Sequence, residues 1–532
     1  MSVPLISDAS EKNERDRGFQ IAGMPWWAVA FLALIAAVSL IMAHYRLTSG
    51  DDLLELWGDN VSSIGQLLHI EKATPIEIDP FFYPGLMFSG IQLFGLNLFF
   101  LRLPSLLGFL VMEVCLFYFV RRIASENAGF FALAFPAITG AFAYTLQLRP
   151  YGVLLGMFGL AMLSWQTAIR RETRRIWLQV GLAIAIAIAI NTHYYGVLLM
   201  LPLCTAELVR NWQRRRVDVP MLLSMGAGMA GIVFLLPFLK GAAEFRDHYQ
   251  AGAISRHIVL ESYNSVLLGR DIFSRDTNRL LGVALGVLMF LILWSCVRQS
   301  RGRMLKLPDA EFVFLVTLAA LPVFGFLLGH YVTHAMEPRY ALGAVIGISA
   351  LLAIAMEPLF HVRWMGRVIL IVLVAWFACK GIAGVRTERQ ARQQALSALV
   401  LSPQIKAAVM ATPSKLLYTQ DLDLYGFLVF HEPDAYMSQH IALVYSTAEE
   451  MRWNQAATSS RIAIHLKSVC ALHPTPCTVL PYEGVIAQPG EHLFVVTHGG
   501  WNWTDKAFAE GKLDVAPVGP AFGSEVVAVL TR

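Results

Sequence analysis

Residues 48–59 read TSGDDLLELWGD and begin just past the first long apolar run of the chain. Two adjacent carboxylates, Asp51 and Asp52, stand within about two helical turns of where a helix over residues 24–44 leaves a bilayer. An acid pair at such a surface is either solvated loop charge or chemistry, and the pair alone does not decide which. The surrounding chain has to decide it.

The chain has 532 residues, 56% hydrophobic and only 15% charged, with a mean hydropathy of +0.55. That is far more apolar side chain than a soluble domain buries, so it reads as a polytopic α-helical membrane protein. The formal charge of +4 is small, and the basic residues cluster between apolar runs. They therefore report membrane orientation, and there is no nucleic-acid signature. Residues 1–23 are polar, of mixed charge, and are not followed by a small-residue cleavage site. The run 24–44 is accordingly expected to be a retained helix with a cytoplasmic tail before it.

Further apolar runs follow at 103–120, 128–144, 152–169, 176–190, 197–209, 221–239, 280–297, 312–329, 341–356 and 368–382. With the first they predict about eleven crossings. The run 81–94 is short and interrupted by Pro84, Gly85, Gly90 and Gln92. If it does not cross, every arginine-rich cluster falls on one side: Arg15 and Arg17, Arg121 and Arg122, Arg170 to Arg175, Arg210 to Arg216, Arg298 to Lys306, and Arg363 and Arg367. The positive-inside rule makes that side cytoplasmic and leaves 81–94 interfacial or re-entrant. The loop 45–80, the turns at Arg149 and His193, the loop 241–279, residues 330–339 and everything past Gly384 are then extracytoplasmic. No internal repeat is evident, which withholds support from an inverted-repeat transporter.

Past Gly384 the composition changes. The polar helical stretch RTERQARQQALSALV (386–400) leads into strand-like runs: KLLYTQ (415–420), YGFLVFH (425–431), RIAIHLKSV (461–469), EHLFVVTHGGW (491–501) and EVVAVLTR (525–532). Residues 385–532 are expected to form an extracytoplasmic α/β domain, beside a membrane domain over 24–384. Cys115, Cys204, Cys296 and Cys379 lie in membrane runs as small apolar filler. Cys470 and Cys477 flank ALHPTP, where a local disulfide is favoured over a metal site.

The extracytoplasmic ends of the apolar runs also carry Glu77 and Asp79 in IEIDPFFYPG, Arg149 and Tyr151 in LQLRPYG, His193 and Tyr194 in THYYG, and Arg339 and Tyr340 in EPRYALG. Singly each is more often an interfacial anchor than a ligand. Together, acids, arginines and tyrosines on one face suit group transfer from a lipid-borne phosphate, because arginine binds phosphate and a carboxylate takes the acceptor's proton.

These residues resemble the GT-C glycosyltransferases, specifically the protein O-mannosyltransferase-like group that includes aminoarabinose and galacturonosyl transferases. The family's Asp-Glu pair in the first outer loop is matched by Asp51-Asp52, and its His-Pro-Pro element by Asp79-Pro80-Phe81. Its Leu-Arg-Leu-Pro-Ser segment stands at residues 101–105. Its Arg-x-Tyr, Thr-His-Tyr and Arg-Tyr elements stand at Arg149-Pro150-Tyr151, Thr192-His193-Tyr194 and Arg339-Tyr340. The resemblance covers roughly residues 24–360 and departs from the family at the second acid and at Asp79.

It implies an inverting glycosyltransferase in a bacterial inner membrane, with its active site and C-terminal domain periplasmic. The sugar would pass from a polyprenyl-phosphate donor to a hydroxyl on a glycan, lipid or protein. Asp51 would be the base, with Asp52 beside it raising its proton affinity or replacing it. Arg149 and Arg339 would hold the donor phosphate, and Tyr151, His193, Tyr194 and Tyr340 would line the pocket. Asp79 would bind the sugar or a divalent metal ion, the cofactor left open, for which Asp51 and Asp79 are the candidate ligands. The rival reading is a flippase or transporter of lipid-linked sugars, which would place charge near mid-membrane, where these helix centres hold almost none.

Overall fold

The computed structural model describes residues 23–48, 50–77, 79–171, 173–246, 255–269, 308–431, 436–475, 477–497 and 502–531, with scattered positions between 287 and 298. Residues 1–22 of the expected tail 1–23, most of the apolar run 280–297, much of the loop 241–279 and the cluster Arg301 to Lys306 lie outside the described residues.

In chain order the helices used below are α1 (Trp26–Tyr45), α2 (Asp51–Asp59), α3 (Ile64–Ala73), α4 (Phe82–Phe94), α5 (Leu103–Arg121), α6 (Glu126–Ile138), α7 (Tyr151–Arg170), α8 (Arg175–Thr192), α9 (Met200–Arg214), α10 (Val219–Met229), α11 (Asp309–Ala319), α12 (Ala344–Ala355) and α13 (Arg363–Ala398). Among the described residues five helices are long and apolar enough to cross a membrane, or seven if each of two bent pairs is one span. Among the described residues this is fewer than the expected eleven, one of which lies mostly outside them. One reason is that runs read from composition as single spans are broken: 3₁₀ turns interrupt those at 197–209 and 221–239 and precede that at 341–356. Another is that α6 and α11 each bend sharply into the segment that follows. At 13 residues α4 is about 20 Å long and does not reach across a hydrocarbon core. It buries Tyr83, Met87 and Ile91 against Leu56, Leu101 and Leu148.

Trp26, Trp177, Trp212 and Trp364 are exposed at the ends of α1, α8, α9 and α13. The arginine pattern puts all four ends on one side, and interfacial tryptophan belongs at such a level. Inside the bundle α5 and α7 cross backbone against backbone. A Cβ on Gly152 would lie 2.0 Å from the Ser105 carbonyl oxygen, and one on Gly108 would lie 2.3 Å from that of Gly152. Small residues allow this approach, and it sets the register of the turn that precedes α7.

Residues beyond α13 build α14 (Pro403–Ala411), β1 (Leu417–Thr419), α15 (Leu422–His431), β2 (Ile441–Tyr445), α16 (Thr447–Asn454), α17 (Thr458–Cys470), β3 (Val479–Pro481), β4 (Gly490–Val496), α18 (Trp503–Ala509), β5 (Asp514–Ala521) and β6 (Ser524–Thr531). One sheet has the order β3-β2-β1-β4-β6-β5, parallel from β3 to β4, with β6 and β5 antiparallel. Two runs that read as strands are helices. YGFLVFH lies in α15, where Asp421 Oδ1 accepts the Leu424 N–H at 3.0 Å. RIAIHLKSV lies in α17, whose first N–H groups, at Ser459 and Ser460, donate to the Glu450 carboxylate at 3.0 and 2.6 Å. The α17 residues Ser460, Ala463, Leu466 and Val469 are buried at a helical spacing that the strand reading overlooked. The helix α13 runs unbroken through residue 384, so no chain break marks the expected boundary.

The C-terminal sheet and the 45–80 loop share one core. Trp57, Val61, Leu67, Ile70 and Ile76 cluster with Leu399, Ile405, Tyr425, Leu443, Leu466, Leu493 and Val526. The short helix α2 is thus held from two sides, by the membrane bundle and by the sheet's helices.

Candidate active site

The helix α2 starts at Asp51 after Gly50, whose φ of 57° is the left-handed conformation that glycine adopts without strain. Its first two residues point in different directions. Asp51 is 38% exposed at its side chain; its Oδ2 lies 2.9 Å from Arg339 Nη1 and 3.9 Å from Arg149 Nη2. Asp52 is buried, its Oδ1 accepting the Leu148 N–H at 3.0 Å and its Oδ2 lying 3.8 Å from Arg102 Nη2.

Their acidities diverge for the same reason, and opposite to expectation. Burial raises the Asp51 carboxyl, but the charges of Arg149 and Arg339 outweigh it and hold the group below the usual aspartate range. Burial of Asp52 prevails over Arg102, Arg46 and Arg149 and raises it. The expected raising of Asp51 by its neighbour is therefore corrected: two guanidinium groups outweigh one adjacent acid that faces away.

The family-like segment at 101–105 takes a physical meaning here. Arg102 donates to the carbonyls of Ala43 at 2.8 Å and Arg46 at 2.6 Å, closing the end of α1. Ser105 Oγ donates to the Arg149 carbonyl and accepts the Gly152 N–H, both at 3.2 Å. Arg149 is thus held at its backbone by Ser105, and the residue before it by Asp52.

The Arg149 guanidinium is buried among four carboxylates. Besides Asp51 it reaches Glu55 at 3.5 Å, Asp79 at 3.8 Å, and Glu77 in a direct ion pair. Carboxylate oxygens of Glu55, Glu77 and Asp79 all lie within 4.8 Å of one another. Asp79, one of the two expected ligands, belongs to this set with Glu55 and Glu77, and Asp51 is not among them. Burial first, then Glu77 and Asp59, push the Glu55 carboxyl well above its ordinary range. Glu77 is raised to about 8 by burial, against the pull of Arg149. Asp59 and Glu71 are raised as well, each chiefly by burial. Asp79 Oδ2 and Asp59 Oδ2 are buried without a hydrogen-bond partner. Hard oxygen donors in excess of positive charge, with unsatisfied oxygens among them, fit a divalent cation such as Mg²⁺ or Mn²⁺.

The aromatic residues close the other side. His193 is buried, its Nδ1 accepts the Tyr195 N–H at 3.1 Å, and its ring lies 4.9 Å from Tyr340 and 5.6 Å from Tyr151. Burial drives the His193 imidazole down to about 4, so it is neutral at pH 7. Arg149 lies over the ring of Tyr151 and Arg339 over that of Tyr340, at 5.9 and 6.0 Å. Tyr194 is half-buried at the margin, where the charges of Asp79 and Glu71 reach it. The structure therefore brings Asp51, Arg149, Tyr151, His193, Arg339 and Tyr340 together. Sequence reasoning missed Glu55 and Tyr195. Glu55 follows Asp51 by one helical turn in an otherwise apolar LLELWG, which was signal enough. The Tyr195 ring lies 4.7 Å from that of Tyr340, tilted by 38°.

This architecture has known counterparts. Residues 79–239 match the family of dolichyl-phosphate-mannose-protein mannosyltransferases. ArnT from Cupriavidus metallidurans bound to undecaprenyl phosphate superposes with a TM-score of 0.55 at 15% identity, over 94% of this chain and 98% of that one. Its apo state gives a TM-score of 0.56 at 14% identity, over 94% and 97%. The chain thus shares the fold of ArnT. No curated protein matches the sequence.

Proposed function

We propose that this protein is an inverting glycosyltransferase that moves a sugar from a polyprenyl-phosphate donor to an acceptor hydroxyl at the extracytoplasmic face of a bacterial inner membrane. The observation that carries the reading is Asp51, partly open and held by two arginines that belong to two other elements. The match to the mannosyltransferase family and the undecaprenyl phosphate bound by ArnT support a lipid-phosphate donor.

Without donor, Asp51 neutralises Arg339 and part of Arg149. A donor phosphate competes for the same N–H groups, because a guanidinium bonds phosphate as it does carboxylate. As the phosphate takes the arginines, Asp51 loses the charges that keep its acidity high, and its proton affinity rises to that of a base. It then accepts the acceptor's hydroxyl proton while the oxygen attacks the anomeric carbon from the face opposite the phosphate. The C–O bond to phosphate breaks and the leaving charge is taken up by Arg149 and Arg339. Neutral His193, Tyr151 and Tyr340 line the pocket as hydrogen-bonding and stacking surface for the sugar. Glu55, Glu77 and Asp79 would hold a divalent cation, which supplies positive charge beside the departing phosphate.

The test uses purified protein, a polyprenyl-phosphate sugar and an envelope extract. Asp51→Asn should lose transfer by roughly 10²–10⁴-fold with donor binding retained, since the amide cannot take a proton. Arg339→Ala should weaken both donor binding and transfer. Wild-type protein that carries the lipid-linked sugar across liposomes but forms no glycosylated product would replace the transferase reading with a flippase.

A further inference from the structure

The C-terminal unit has no task in the reaction above, yet two of its helices, α15 and α17, pack against the helix that carries Asp51. This helix, α2, is nine residues long and contains Asp51, Asp52, Glu55 and Asp59 with no basic residue. Helices this short are marginal in water. Its final carbonyls, from Leu56 onward, have no partner within the helix. Something outside α2 has to hold it.

Two features of the C-terminal unit do so. The helix α15 lies against α2 at Gly426, where a Cβ would come within 3.2 Å of Trp57 Nε1 and 3.3 Å of the Leu53 side chain. The second is the loop after α17, closed by the Cys470–Cys477 disulfide. His473 within that loop sets its ring 4.7 Å from Trp57. Its Nδ1 lies 3.1 Å from both the amide nitrogen and the carbonyl oxygen of Thr475, and its Nε2 lies 3.5 Å from the Leu56 carbonyl, to which the ring donates when its proton is on Nε2. The same helix α17 ties His465 Nδ1 to the Pro75 carbonyl at 2.7 Å, two residues before Glu77. Trp57 is fully buried, stacked on Tyr425 and flanked by Phe430. It sits less than two turns from Asp51, so a shift at this end carries to the other through one rigid helix.

We propose that the disulfide-closed loop 470–477 is a positioning clamp for α2, with His473 capping its carboxyl end and pressing Trp57 into place so that Asp51 stays against Arg339. His473 and Trp57 are then positioning residues that act through Asp51. The effect on transfer rests on Asp51 being the base; the effect on α2 does not.

The test follows both. Hydrogen exchange of the 51–59 segment and the kinetics of sugar transfer are measured before and after reduction with a phosphine, with thiol alkylation reporting the disulfide. Cys470→Ser/Cys477→Ser is run in parallel, and His473→Ala, which keeps the disulfide, serves if the double variant fails to fold. Reduction should speed exchange in 51–59 while the spanning helices stay protected. It should also lower kcat by roughly 10- to 100-fold, as expected for a misplaced catalytic group, with little change in polyprenyl-phosphate binding. Unchanged exchange in 51–59, or faster exchange with unchanged kcat, overturns the clamp. So does a loss confined to the acceptor's KM, since that is what an acceptor-recruiting surface would show. If wild-type protein transfers no sugar, the proposed reaction fails while the exchange measurement still decides the clamp.

Discussion

Two regions share Arg149 and differ in almost every other respect. The mouth holds Asp51, Arg339 and Tyr340, is partly open, and pairs its one acid with two cations. The pocket behind it holds Glu55, Asp59, Glu77 and Asp79, is buried, and has one guanidinium to serve them. In the mouth the cations win and hold the Asp51 carboxyl below its usual range; in the pocket burial and like charge win and push Glu55 and Glu77 up. Carboxyls a few ångströms apart are pushed in opposite directions because exposure and the local count of charges differ.

The sharpest way to break this comparison is to remove the shared cation. Arg149→Ala should leave the buried acids uncompensated and cost the fold on the order of 3–5 kcal/mol, as broken buried pairs do. Arg339→Ala should leave the melting temperature nearly unchanged, because that guanidinium reaches the exposed acid. Equal destabilisation by the two would erase the distinction between mouth and pocket, and calorimetry in detergent measures it.

A smaller effect separates Asp51 from Asp52. Asp52→Asn keeps an acceptor for the Leu148 N–H, whereas Asp52→Ala leaves that donor unpaired and costs about 1–3 kcal/mol. Asp52→Asn should accordingly retain most transfer activity where Asp51→Asn does not. A complete loss in Asp52→Asn, with melting and donor binding intact, would move the base to the second acid.

The smallest effect is on pH dependence. Glu77 is raised to about 8 in the fold, above its ordinary 4.5. A carboxyl raised by folding contributes stability fully present below its unfolded pKa and lost as pH rises through the folded one. The metal-free protein should therefore melt a few degrees lower between pH 5 and pH 8, and Glu77→Gln or added Mn²⁺ should flatten that slope. Asp51 has the opposite sign, its contribution being present above the ordinary aspartate range and lost in acid. A slope that neither Glu77→Gln nor the ion alters would show that Glu77 does not set it.

The membrane class was legible from the apolar excess alone, and the facing of Asp51, Arg149, His193 and Arg339 from their places at the ends of apolar runs, since hydropathy and end position are local properties. The Cys470–Cys477 bond was legible too, because seven residues of separation confine where the two sulfurs can be. Helix breaks at 3₁₀ turns were not, and neither was the helical state of YGFLVFH and RIAIHLKSV. A short apolar run has the composition of a strand or a helix alike, and the caps from Asp421 and Glu450 decide it. Tertiary structure alone determined which of two identical neighbours faces the arginines. Asp51 and Asp52 carry the same charge at adjacent positions, and nothing local distinguishes them. The difference comes from Leu148, Arg149 and Arg339, roughly 100 and 290 residues away, which the packing of α5 on α7 and the clasp of the C-terminal unit on Trp57 bring to opposite sides of α2.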